Sequence, residues 1–276
     1  MVAGWRVARL RRCAVLPVDL GGQRRRAARF GRWDTVLLSL LLVLLGELGL
    51  ALLWTLLLAV WAGTGAPAHQ PAWVGRRVDH LLNGPLGIVS SFWLAQLAML
   101  GALYLRVVRP RHLGWADLGL GRALGRAPTT AVLLGLGLGL LGLAFMAAVS
   151  LVLQALGVTT NAQAAHLGPM RGSTPPVALL FLITTGLSAP LVEELFFRGY
   201  LVRALCGHYS RWLSLVVSAA LFAFVHLLGG VGWDALPLFA FGLLLGWGYV
   251  RTGNLLCSVS AHALNNLIVV FFLFHG

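Results

Sequence analysis

Apolar residues run along this chain in seven blocks, at about 35–62, 85–107, 129–156, 177–205, 212–229, 235–250 and 254–274, and short segments between them hold nearly all of the arginines. At 1.5 Å per residue each block is long enough, or nearly so, to cross a hydrocarbon core of ~30 Å as an α-helix. The sixth is the shortest, and Gly242, Gly246 and Gly248 within it permit the close approach that membrane bundles use. The third is rich in leucine and glycine over Leu133–Leu143 and reads as a tightly packed or lipid-facing helix. The pattern predicts an all-α polytopic membrane bundle of about seven transmembrane helices. A basic arm at 1–33 precedes a membrane domain at 34–276.

Composition agrees. Apolar residues make up 59% and charged residues 11%, whereas soluble domains carry about 25% charged residues. The formal charge of +13 comes from 21 arginines and no lysine, set against eight acids. Nine arginines lie in the N-terminal arm; Arg109, Arg111, Arg122 and Arg126 follow the second block, Arg203 and Arg211 join the fourth to the fifth, and Arg251 ends the sixth. The alternate connections are poorer, with Arg76 and Arg77, then Arg171, then Asp234. This asymmetry predicts a cytoplasmic N-terminus and a C-terminus on the other side. Arginine without lysine points to a bacterial cell membrane. No soluble module carries the charge, so the expected partner is the lipid bilayer and not nucleic acid. Cys13, Cys206 and Cys257 are an odd set without a C-x-x-C pair, which gives no disulfide framework.

Candidate chemistry starts from the three glutamates. Glu47 lies in the first block, while Glu193 and Glu194 are adjacent in the fourth. A charge at mid-bilayer depth costs ~2.5 kcal/mol or more, so such residues are functional candidates by default. Glu47 reads as an interhelical hydrogen-bonding group. Glu194 and Arg198 are i and i+4, acid first, and form a pair that leaves Glu193 free to titrate. Phe222 and His226 share a face of the fifth helix, as His262 and Asn266 share one of the seventh.

A hairpin turning near Tyr209 brings Glu193 and His226 to one depth, roughly 20 Å from the turn, whereas His262 lies roughly 14 Å from the turn at Thr252–Asn254, shallower unless the hairpin projects about one turn or more into the cytosol, a projection that Arg203 and Arg211 favour. The cleft is expected to open toward the arginine-bearing face. Glu193 with His226 can activate water, and His262 with Asn266 can stabilise an oxyanion, which describes amide hydrolysis at a membrane. Three other readings stay open. Glu193, His226 and His262 are also ligand types of catalytic zinc, although H-E-x-x-H is absent. Buried Glu and His also form proton relays in transporters. A non-proteolytic scaffold is the third.

The segments E-E-L-F-F-R-G-Y at 193–200, F-A-F-V-H at 222–226 and H-A-L-N-N at 262–266 resemble the CPBP intramembrane protease family, also called the CAAX prenyl protease and bacteriocin-processing, or Abi, family. F-G-L-L-L-G-W-G-Y-V-R-T-G-N-L at 241–255 and W-A-D-L-G-L at 115–120 resemble further elements of that family. The resemblance covers about 190–268, within a family-like core at 177–274, and places the catalytic core in the last four helices. It implies an endopeptidase acting on a membrane protein or peptide. By this likeness Glu193 and His226 activate water, His262 and Asn266 form the oxyanion hole, and Glu194, Arg198 and Phe222 support them. No cofactor is required on a glutamate mechanism; zinc is the alternative. Bacteriocin immunity is a non-enzymatic role within the same likeness. Many members carry proline near 257–258, where this chain has Cys257 and Ser258.

Overall fold

The structure, a computed structural model, describes residues 33–64, 71–120, 127–158, 167–228 and 230–275. The N-terminal arm predicted at 1–33 lies outside them, apart from its last residue. Eight helices follow: α1 Trp33–Gly63, α2 Pro71–Leu82, α3 Pro85–Arg111, α4 Pro128–Ala155, α5 Pro175–Cys206, α6 Arg211–Leu228, α7 Gly232–Thr252 and α8 Leu255–His275. All but α2 are long and apolar enough to cross a membrane. The seven predicted spans are all present, with ends within a few residues, and among the described residues there is no strand.

Local chemistry sets these ends. Proline opens α3, α4 and α5 at Pro85, Pro128 and Pro175, where its missing N–H is free of cost and its φ already suits a helix. Gly253, at φ 67°, closes α7 in the left-handed conformation that glycine adopts without strain. Helix α2 was not anticipated. It is short and amphipathic, with Arg76 and Arg77 exposed, and Arg77 lies over the rings of Trp61 and Trp73.

Helix α1 stands at the edge. Its leucines are largely exposed, as lipid-facing residues are, and Ser39, Val43 and Ala62 are buried. The Ser39 hydroxyl lies 3.2 Å from that of Tyr200, which ties α1 to the core. Helix α4 packs most extensively on α8, and α6 on α7. The glycines of the third span explain the first pairing: Gly135, Gly139 and Gly142 form its buried stripe, and a Cβ at Gly139 would stand 2.8 Å from the Ala261 carbonyl. The opposite leucines, Leu133, Leu136, Leu140 and Leu141, face outward, so the helix is both packed and lipid-facing. The α6–α7 contact is equally close, with a Cβ at Gly242 falling 3.2 Å from that of Ala219.

Trp115–Leu118 form a single 3-10 turn that docks on the core through Leu118, which is fully buried. The Leu255 N–H bonds the Gly119 carbonyl at 3.0 Å, and the Arg203 guanidinium donates to the Tyr249 hydroxyl and the Asp117 carbonyl. Arg203 is thus drawn into the protein rather than projecting from a hairpin.

Candidate active site

Helix α5 is wound unevenly. Thr184–Ser188 and Leu195–Val202 are π-helical and enclose the α-helical turn that carries Glu193 and Glu194. Such wide turns concentrate at functional sites and put more residues into each turn. Pro190 is part of the cause: the Ala189 N–H bonds the Thr184 carbonyl, and proline has no N–H with which to meet the Thr185 carbonyl five residues before it. The side chain of Asn266, on α8, fills that gap, with Nδ2 2.8 Å from the Thr185 oxygen.

Glu194 and Arg198 are fully buried. Arg198 Nη1 donates to Glu194 Oε1 at 2.7 Å, Nη2 donates to the Gly242 carbonyl at 3.0 Å, and the guanidinium lies 4.7 Å from the ring centre of Phe222. The predicted pair therefore exists and also holds α7. Glu194 does more than neutralise Arg198, because His262 Nδ1 sits 3.0 Å from the same Oε1. An ionised carboxylate accepts only, so His262 Nδ1 carries the proton and Nε2 is turned toward Glu193. His226 is oriented the same way: its Nδ1 donates to the Phe222 carbonyl at 2.8 Å.

Both imidazole Nε2 atoms converge on one oxygen. Glu193 Oε2 lies 3.9 Å from His226 Nε2 and 3.9 Å from His262 Nε2, and it is buried without a hydrogen-bond partner. Those gaps exceed a hydrogen bond, yet a water about 2.8 Å from each atom can bridge them. Phe222 packs between the two rings, with centroids 4.4 Å from His226 and 5.7 Å from His262. The predicted site residues, Glu193, His226, His262 and Asn266, all line one cavity of about 380 Å³. Among the described residues no group of three His, Cys, Asp or Glu side chains stands in metal-ligand geometry.

Two expectations are corrected. His262 is not shallower than Glu193 and His226, since its Nε2 is as near to Glu193 as that of His226. The π-helical stretch between Glu193 and the hairpin turn rises less per residue than the 1.5 Å assumed. Nor does the cavity face the arginine-bearing connections. Its walls reach Leu167, Gly230 and Val231 in the opposite ones, and among the described residues none of its lining belongs to 108–120, 203–211 or 251–254. The reason is that α6 has only 18 residues, which leaves His226 in its last turn.

Three contributors were not read from the sequence as parts of the site. Thr185 presents a backbone oxygen, which no motif reports. Asn265 is 5% exposed, lines the cavity, and donates to Asn266 Oδ1 at 3.4 Å; its signal was the Asn-Asn doublet, read as one residue. Glu47 also lines the cavity, within electrostatic reach of Glu193, and among the described residues it makes no hydrogen bond to a neighbouring helix.

Comparison with known proteins bears on the same segment. Residues 175–268 match the family model of type II CAAX prenyl endopeptidase Rce1-like proteins. The chain is 32% identical over 82 residues to UPF0177 protein YxdF of Lactococcus lactis, covering 30% of this chain and 44% of that one. It is 33% identical over 104 residues to the uncharacterized protein YyaK of Bacillus subtilis, covering 35% of this chain and 33% of that one. The chain thus spans less than half the length of these curated relatives. No solved structure matches. The chain is an integral membrane protein, and the segment that builds this cavity is similar to the type II CAAX prenyl endopeptidase Rce1-like family.

Proposed function

We propose that this protein is an intramembrane endopeptidase that hydrolyses a peptide bond of a membrane-associated substrate with water activated by Glu193 and His226. The observation that carries the reading is the convergence of two imidazole Nε2 atoms on Glu193 Oε2, each at 3.9 Å, at a buried oxygen without a partner. A water held there gives a proton to the Glu193–His226 pair as its oxygen adds to the substrate carbonyl carbon. The carbonyl oxygen becomes an oxyanion. His262 donates to it from Nε2 when the ring carries both protons, with Glu193 and Glu194 supplying counter-charge, and Asn266 offers its second amide proton. The carbon–nitrogen bond then breaks, and the proton taken from water passes to the leaving amine. Arg198 and Phe222 hold Glu194 and both rings in place.

The same convergence supports a second reading, a zinc hydrolase, because two imidazoles and a carboxylate are the ligand set of many catalytic zinc sites and each Nδ1–H already has an acceptor. There the ion would polarise the carbonyl and activate the water, with Glu193, His226 and His262 as its ligands. The decisive experiment compares membrane proteins cleaved by purified wild type and by Glu193→Gln in detergent or nanodiscs. Fragments formed only by the wild type support proteolysis. Identical patterns leave a scaffold, an immunity protein or a transporter. The proposed location is a bacterial cell membrane with a cytoplasmic N-terminus.

A further inference from the structure

The wall of the cavity is unbalanced in its hydrogen-bonding groups. Glu193 Oε2 and Asn265 Oδ1 are buried acceptors without a donor, and the Asn265 side chain is 95% buried. Glu47 adds a carboxylate that has no hydrogen bond or ion pair among the described residues. Against these acceptors the lining holds no arginine and no lysine among the described residues. The guanidinium of Arg198 is spent on Glu194 and the Gly242 carbonyl. Most of the remaining lining is apolar, including Phe92, Met99, Met146, Leu238 and Val270.

Glu47 comes from α1, outside the family-matched segment, so its role is not fixed by that match. It sits near the middle of a helix that is otherwise leucine-rich and lipid-facing. An apolar neutral occupant would bury three acceptors without donors. A peptide that brings a cation and backbone N–H groups would satisfy them.

We propose that Glu47 is a specificity residue, the counter-ion for a lysine or arginine side chain of the substrate seated in this cavity beside the scissile bond. The assignment rests on the hydrolase reading only in that it calls the cationic peptide a substrate. Asn265 Oδ1 takes a backbone N–H of the same peptide, and Glu193 Oε2 remains with the attacking water. Charge complementarity in a desolvated pocket favours a cation over its neutral isostere by about tenfold or more.

The test uses the full chain in detergent micelles, carrying Glu193→Gln so that bound peptide is not cut. It is titrated with a short apolar amidated peptide containing one arginine, and with the same peptide containing citrulline. A lysine and acetyl-lysine pair distinguishes guanidinium from ammonium. The expected result is a preference of about tenfold or more for the cationic member, retained in Glu47→Asp and reduced to about one in Glu47→Gln. A purely structural Glu47 would weaken both members together and leave their ratio unchanged, which would overturn the assignment. So would equal affinity in the Glu193→Gln protein itself. If Glu47→Gln does not fold, Glu47→Ala serves in its place, and the ratio in the Glu193→Gln background still decides. Cleavage by wild type against Glu193→Gln, measured separately on membrane proteins, decides the hydrolase reading, so a cation preference without cleavage would sink that reading and keep this one.

Discussion

Asn266 Nδ2 donates to the Thr185 backbone oxygen at 2.8 Å, and that oxygen is available because Pro190, five residues on, has no N–H. One side chain thus ties α8 to α5 beside the catalytic candidates. Asn266→Ala should therefore lower thermal stability as well as cleavage. Leaving a buried carbonyl unmet costs ~1–3 kcal/mol, read as a fall in melting temperature in detergent. A variant that loses cleavage at unchanged stability would show that the bond to Thr185 contributes nothing structural.

Glu193→Gln should behave differently. The substitution keeps size and removes a charge whose Oε2 has no hydrogen-bond partner, so folding should be unaffected. Cleavage should fall by roughly 100-fold or more, the scale of a lost general base. His226→Ala should match it in activity. Retained cleavage in Glu193→Gln would remove this carboxylate from the chemistry.

Among the described residues, Arg198→Ala leaves buried Glu194 with His262 as its remaining partner. Breaking a buried pair costs roughly 3–5 kcal/mol, and Arg198 also holds the Gly242 carbonyl. The expected phenotype is poor expression and a low melting temperature, partly recovered by adding Glu194→Gln. A stable but inactive Arg198→Ala would move the arginine from support into the chemistry.

The spans were legible because a bilayer demands long apolar helices, and a run such as 129–156 admits no other reading. Glu193, His226, His262 and Asn266 were legible because polar groups inside such runs are costly and therefore few. What was not legible depends on backbone winding and on how the helices turn their faces toward one another. No residue pattern marks Leu195–Val202 as π-helical, yet that stretch corrects the depth of Glu193 relative to His262. The face to which the cavity opens follows from His226 lying in the last turn of α6, a position that the predicted span 212–229 already contained and that its motif alone does not relate to the opening. Glu47 was noticed for its cost and misassigned, because the sequence does not give the rotation of α1 against the core.

The direction of the cavity has a topological consequence. If the arginine-bearing connections are cytoplasmic, as the positive-inside rule requires, then Leu167, Gly230 and Asp234 lie toward the other side. In a cysteine-free background, Asp234→Cys should react with a membrane-impermeant maleimide applied outside spheroplasts. Trp115→Cys, on the exposed face of the 3-10 turn, should react only after permeabilisation. The reverse pattern would put the cavity on the cytoplasmic side and refute the cytoplasmic N-terminus.

Cleavage should persist through exhaustive chelation. A zinc site would need Glu193, His226 and His262 each within ~2.2 Å of one ion. Atoms so placed around a tetrahedral ion stand about 3.4 Å from one another, whereas Glu193 Oε2 stands 3.9 Å from each imidazole Nε2, a spacing that a bridging water meets without rearrangement. Asn266 supplies an amide beside them, and its oxygen is already engaged by Asn265 and its nitrogen by Thr185. That arrangement suits a second proton donor to an oxyanion and gives no fourth ligand. The measurement is cleavage before and after dialysis against a strong chelator, with metal content determined by mass spectrometry on the same samples. Activity lost on chelation and restored by zinc, with about one ion bound per chain, would make Glu193 and the two histidines ligands and replace the glutamate mechanism with a zinc-bound nucleophile.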